Sequence, residues 1–262
     1  MILSNYWNNN YYATGQIEQS PFTRELHNKI IELIPSNHQN ILDVGCGSGI
    51  LMNKIRNSGE HTVTGTDLSE EAVRIVKEQL GLECFVGSIT NLKVDDKSYD
   101  TVICSEVIEH LYEEDLEKAF SELVRISKET IIISTPFLEN LEYHQTKCSN
   151  CKTLFHPAGH IRKIDESFFI PFIKKHTSNY SFFYTGARPP RFIAYSRIVR
   201  MFNKYIIWLD NLSCPICNNK IEKKKSSFFI KVLIKGYQLI QKFIFMIGFK
   251  KFNNIILVLH LK

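Results

Sequence analysis

The chain has 262 residues, 44% of them hydrophobic and 23% charged, which is enough for one good-sized α/β domain with an appendage. The net charge of +5 is unevenly spread. Residues 220–262 hold ten lysines and one acid for +9, so residues 1–219 carry −4, a balance that argues against a main domain that coats nucleic acid.

MILSNYWNNN has no basic stretch followed by an apolar run of secretory type, so the expected location is the cytoplasm. After a polar, tyrosine-rich leader, PFTRELHNKIIELI places apolar residues at helical spacing, and Pro35 ends the helix. Strands and helices then alternate. ILDVG is a strand, GILMNKIRNS a helix, HTVTGTD a strand, and SEEAVRIVKEQLG a helix that Ser69 caps and Gly81 closes. ECFVG, YDTVICS and TIIISTP read as further strands, with EEDLEKAFSELVRIS an amphipathic helix between the last two. Regular alternation of this kind predicts right-handed crossovers and a doubly wound parallel sheet covered on both faces. Ligands of such sheets lie beyond the carboxyl ends of the strands.

ILDVGCGSG, residues 41–49, runs from a buried strand into a glycine-rich turn and a helix, and the second strand ends about twenty residues later in Asp67, placed to accept hydrogen bonds from ribose hydroxyls. A dinucleotide fingerprint needs its third glycine at position 50. Here that glycine is Gly49 and Ile50 takes the expected site, which makes a dehydrogenase the minor reading.

From Ile41 to Pro136 these motifs resemble the class I S-adenosylmethionine-dependent methyltransferases, which implies a Rossmann-like sheet. The resemblance implies that the loop Gly45, Cys46, Gly47 and Gly49 lies against the methionine and ribose of S-adenosylmethionine. It places Asp43 near the cofactor's amino group, Asp67 on both ribose hydroxyls, Leu68 on the adenine and Ser105 at the end of the fourth strand. The family usually has an acid after its third strand, whereas this chain has GSI at 87–89, so Ser88 or the main chain of Ile89 must take the adenine contact.

The resemblance implies that the fourth strand delivers SEVIEHL, residues 105–111, beside the methyl group. Glu106, Glu109 and His110 offer two carboxylates and an imidazole, a set suited to Mg²⁺ or Mn²⁺. This spelling resembles two groups, the O-methyltransferases of quinone biosynthesis and the 2′-O-methyltransferases of small-RNA 3′ ends, which use a further downstream histidine. His160 in GHIRKID is the preferred candidate for it, with His156 the other. Without a metal, His110 or His160 is placed to act as a general base. The bland alternative is that these side chains only shape the turn before Leu111.

Seven cysteines divide into three single ones, Cys46, Cys84 and Cys104, and two Cys-x-x-Cys pairs. The pairs predict a structural Zn²⁺ held by Cys148, Cys151, Cys214 and Cys217. A competing set is Cys148, Cys151, His156 and His160. From Ser227 to Gly248, Lys231, Lys235, Gln238 and Lys242 draw one polar stripe down an otherwise apolar helix, suited to an anionic membrane surface or to packing on protein.

The sequence thus predicts a helical cap (1–38), a core that binds S-adenosylmethionine (39–136), a cysteine-paired insertion completing the sheet (137–219) and a basic amphipathic helical tail (220–262). The expected activity is O-methylation of a small-molecule, glycan or lipid-linked acceptor. RNA 2′-O-methylation is the runner-up, since an RNA backbone calls for a basic cleft and only Arg162, Lys163, Arg188 and Arg191 lie near the site. A cofactor-binding scaffold without chemistry is the third reading.

Overall fold

The computed structural model describes residues 21–59, 61–188, 212–221 and 251–261, together with Gly236, Leu239, Ile240, Phe243 and Met246. The leader at 1–20, Arg191 and the stripe at Lys231, Lys235, Gln238 and Lys242 lie outside the described residues.

In chain order the elements are α1 (Pro21–Leu33), β1 (Asn40–Val44), α2 (Ile50–Ser58), β2 (Thr62–Asp67), α3 (Glu70–Ile75), β3 (Cys84–Val86), β4 (Tyr99–Ser105), α4 (Glu113–Ile126), β5 (Ser127–Pro136), α5 (Leu141–His144), β6 (Thr146–Lys147), β7 (Leu154–Phe155), α6 (Glu166–His176), β8 (Tyr180–Thr185) and β9 (Asn254–His260). A π-helical turn, Val76–Leu80, continues α3 to Gly81, whose φ of 59° closes it. The Ser69 hydroxyl accepts from Ala72 N at 3.0 Å and starts α3 as the sequence predicts.

Seven strands make one sheet in the order β3-β2-β1-β4-β5-β9-β8. The first five are parallel, and β9 runs antiparallel to both β5 and β8. Alternate residues of the central strands feed two cores. Ile41, Ile103, Ile132, Ile256 and Val258 pack toward α1, α2 and α3, while Leu42, Val102, Ile131, Ile133 and Leu257 pack toward α4 and α6. Burial on both faces explains why these strands read as continuous apolar runs.

One sequence expectation needs correction. Asn254–His260 was grouped with the basic tail, yet it is a strand between β5 and β8, buried at every residue from Asn254 to Leu259. A lone apolar run carries no partner information, and β9 pairs with strands far away in sequence. The sheet is therefore mixed, with its antiparallel portion beyond β5.

Candidate functional site

β1 opens into a turn in which Gly45, Gly47 and Gly49 all have positive φ. At Gly45 a side chain is excluded twice, by a φ of 76° and by Val107 Cγ2, which would stand 2.3 Å from an added Cβ. Asp67, at the end of β2, locks the turn: one carboxylate oxygen accepts from Gly47 N at 2.9 Å and the other from Ser69 N at 2.9 Å. A cavity of about 230 Å³ opens above, lined by Gly45, Asp67, Leu68, Ser88, Ile89, Glu106 and His110 among others. Asp43, Cys46, Gly47, Gly49 and Ser105 stand outside its lining. Cys46 turns toward Cys84, with the sulfurs 3.5 Å apart, and Ser105 Oγ is 2.7 Å from Ser134 Oγ.

The end of β4 is strained. Glu106 adopts a φ of 59°, costly for a residue with a side chain and of the kind that collects at functional sites. Its carboxylate accepts from Asn254 Nδ2 at 2.8 Å, so β9 supplies a site residue that the sequence reading missed. Glu109 and His110 follow on a single 3₁₀ turn.

His160 arrives from fifty residues downstream because its loop is pinned to that turn. His110 Nδ1 donates to Gly159 O at 3.2 Å, Ile161 N donates to Glu109 O at 3.1 Å, and Arg162 donates to Leu111 O and to Glu113. Ligand atoms of Glu109, His110 and His160 consequently lie within 4.8 Å of one another. Both carboxylate oxygens of Glu109 are buried without a hydrogen bond, a condition that a cation would relieve, so these residues fit a divalent ion.

A family model described as "Methyltransferase domain" matches residues 41–130. Over these residues the chain is similar to a methyltransferase domain. Among curated relatives, a ubiquinone biosynthesis O-methyltransferase from Coxiella burnetii is 28% identical over 116 residues, 42% of this chain and 47% of that protein. The chain thus spans about half the length of the curated relatives it matches. Among solved structures, a SAM-dependent methyltransferase from Archaeoglobus fulgidus aligns with a TM-score of 0.54 at 15% identity, over 90% of this chain and 93% of that one. The methyltransferase domain of bacterial CtHen1-CN aligns with a TM-score of 0.52 at 23% identity, over 63% and 91%. At such identities the structural matches establish the fold.

Shifted titratable groups concentrate on the same spot. Burial, and then the Asp67 charge, raise Asp43 to about 7. Burial raises Glu106 to about 8, opposed by the Asn254 hydrogen bond and assisted by Glu139. Burial and the Glu106 charge push Glu109 well up, while burial and His160 lower His110 to about 3, keeping it neutral. A Glu106 that loses its proton near 4.5 when unfolded and near 8 when folded stabilises the fold fully below pH 4.5, and that stability is lost as pH rises through about 8. Metal-free protein is therefore expected to melt at a lower temperature above pH 8 than near pH 5. Mn²⁺ should raise the melting temperature more at the alkaline end, because binding requires the carboxylates ionised. Differential scanning calorimetry with and without Mn²⁺ checks both signs.

The two Cys-x-x-Cys pairs also meet. Cys148 and Cys217 sulfurs are 3.6 Å apart, as are those of Cys151 and Cys214, and all four lie within 4.8 Å as free thiols. His156 and His160 instead group with acids at the candidate site, which separates them from the cysteines. Besides Asn254, sequence reading missed Glu139 and His144, just after β5. Their signal was two acids and one histidine in FLENLEYHQ, which no motif singled out.

Proposed function

We propose that the chain transfers the methyl group of S-adenosylmethionine to an oxygen of a small-molecule, glycan or lipid-linked acceptor. The observation that carries this reading is that one cavity is lined by Asp67 and Leu68 together with Glu106 and His110. Asp67, held by Gly47 and Ser69, would accept from ribose hydroxyls, and Leu68 and Ile89 offer apolar surface to the adenine. S-adenosylmethionine supplies an electrophilic methyl on its sulfonium. A Mg²⁺ or Mn²⁺ ion held by Glu106, Glu109, His110 and His160 would supply Lewis acidity at an acceptor hydroxyl. Full turnover in excess EDTA would end the metal assignment and leave His110 or His160 as general base.

Arg162 favours a small acceptor over RNA, because its guanidinium is already engaged by Glu113 and Leu111 O. Tritiated methyl transfer into fractionated cell extract tests the reading. Label is expected in small-molecule, lipid or glycan fractions. Label that ribonuclease removes would point to RNA, and binding of S-adenosylmethionine without any transfer would point to a scaffold.

Four thiols so close are suited to tetrahedral Zn²⁺, and the reading assigns Cys148, Cys151, Cys214 and Cys217 to it. A Cys214→Ser variant is expected to lose the bound zinc, measured by atomic absorption on desalted protein; full zinc content would refute the assignment.

Among the described residues no helix is long and apolar enough to cross a membrane. Leu239, Ile240, Phe243 and Met246 are helical, and each is more than half exposed. An outward apolar face within a lysine-rich stretch of sequence supports attachment to an anionic membrane surface, where a lipid-linked acceptor would be met. The double substitution Phe243→Asp, Met246→Asp is expected to reduce pelleting with anionic liposomes. Unchanged pelleting would remove the membrane from the account.

A further inference from the structure

Glu139, His144 and His156 lie beside the Glu109, His110 and His160 group, and one ligand atom from each falls within 4.8 Å of the other two. At first sight this is a second metal trio. The tautomer of His156 decides otherwise. Its Nδ1 accepts from Ala158 N at 3.2 Å and from His160 N at 3.4 Å, so the ring proton sits on Nε2, the atom that faces Glu139 Oε1 at 3.4 Å. A protonated nitrogen cannot ligate a metal, but it is suited to stand against a carboxylate.

Glu139 holds a different histidine. Its other oxygen, Oε2, accepts from His160 Nδ1, and the same His160 ring turns Nε2 toward Glu109 Oε1 at 3.9 Å. The ring is fixed from a second direction by His156, which stacks on it at 4.6 Å between centroids and 16° between planes. His144 Nε2 stands 3.9 Å from Glu139 Oε1. Glu139, His156 and His160 are all largely buried, so water does not compete strongly for these contacts.

We infer that Glu139 is a positioning residue: it takes the Nδ1 proton of His160 in a hydrogen bond, so that the lone pair of His160 Nε2 is aimed at the ion-binding cluster, with His156 bracing both. The inference rests on the metal reading of the preceding section. A carboxylate behind a ligating histidine fixes its tautomer and raises its basicity, and losing such a partner typically weakens metal affinity ~10–100-fold. Glutamine at 139 would keep the shape, but its amide group could donate to Nδ1 and favour the wrong tautomer.

The test is Mn²⁺ binding to the full chain, followed by electron paramagnetic resonance, for wild type, E139Q and E109Q, with S-adenosylmethionine affinity measured alongside. E139Q is expected to bind Mn²⁺ ~10–100-fold more weakly with S-adenosylmethionine affinity unchanged. Methyl transfer by E139Q should be deficient at limiting Mn²⁺ and recover at saturating Mn²⁺, which damage to the fold would not do. E109Q is expected to abolish the binding. Wild-type affinity in E139Q overturns the role of Glu139 and leaves the metal reading intact. A wild-type chain that binds no Mn²⁺ overturns the metal reading and this inference with it. If E139Q also loses S-adenosylmethionine binding, E139D replaces it: the charge remains but the carboxylate withdraws by one methylene, and undiminished Mn²⁺ affinity there again counts against the inference.

Discussion

Replacing Glu109 with glutamine is expected to stabilise the metal-free protein above neutral pH and, in the same variant, to lower methyl transfer by ~100-fold or more. The two effects have one cause. Glu109 is 1% exposed, and neither carboxylate oxygen has a hydrogen-bond partner. Ionising such a group costs several kcal/mol unless a cation is present. Glutamine keeps the volume and removes the charge, so it relieves that cost while deleting a ligand. S-adenosylmethionine affinity should not change, because Glu109 does not line the cavity that Asp67 shares. Melting curves with and without Mn²⁺, together with methyl transfer, check this: Mn²⁺ should raise the wild-type melting temperature and leave that of the variant unmoved. A variant that melts lower and also loses S-adenosylmethionine would show Glu109 to be a packing residue instead.

Ending the chain after Lys220 is expected to abolish folding. β9 would be lost, and Ile255, Ile256, Leu257, Val258 and Leu259 are each 2% exposed or less. At about 1.5–3 kcal/mol per buried side chain, these five contribute roughly 10 kcal/mol. That matches the net stability of a whole domain, about 5–15 kcal/mol. The ladders of β5 and β8 would also lose their shared partner, and Glu106 its donor Asn254. Circular dichroism and expression level read the outcome directly. A soluble, cooperatively melting product would contradict the placement of β9. Membrane attachment is accordingly tested by substitutions on the exposed helical face, which leave the sheet whole.

The helices and strands from Pro21 to Pro136 were legible in the sequence because each carries its own local signal, whereas the short pieces α5, β6 and β7 carry none and were not read. Ser69 and Gly81 mark the ends of one helical segment, and TVIC and TIIIS are apolar in the way doubly covered strands must be. Asp67 was legible through its spacing from the glycine turn. NIILVLH was not, since its apolar residues fit a strand or a buried helix and it follows a lysine-rich stretch that pulled it into the tail. Glu106, Glu109 and His110 stood out as neighbours in sequence. Their partners did not: Asn254, Glu139 and His144 meet them only through the antiparallel return of β9 and through the loop that Gly159, Ile161 and Arg162 pin to the 3₁₀ turn. The four cysteines were visible as pairs, and their proximity depends on the fold bringing 148–151 to 214–217.

The central claim is that the glycine turn and Asp67 hold S-adenosylmethionine. Isothermal titration of the full chain measures this most directly. One equivalent of S-adenosylmethionine should bind to wild type, Asp67→Ala should weaken it by ~100-fold through loss of charge-assisted hydrogen bonds to two hydroxyls, and NADH should give no heat. Retention of NADH with no uptake of S-adenosylmethionine would contradict the account.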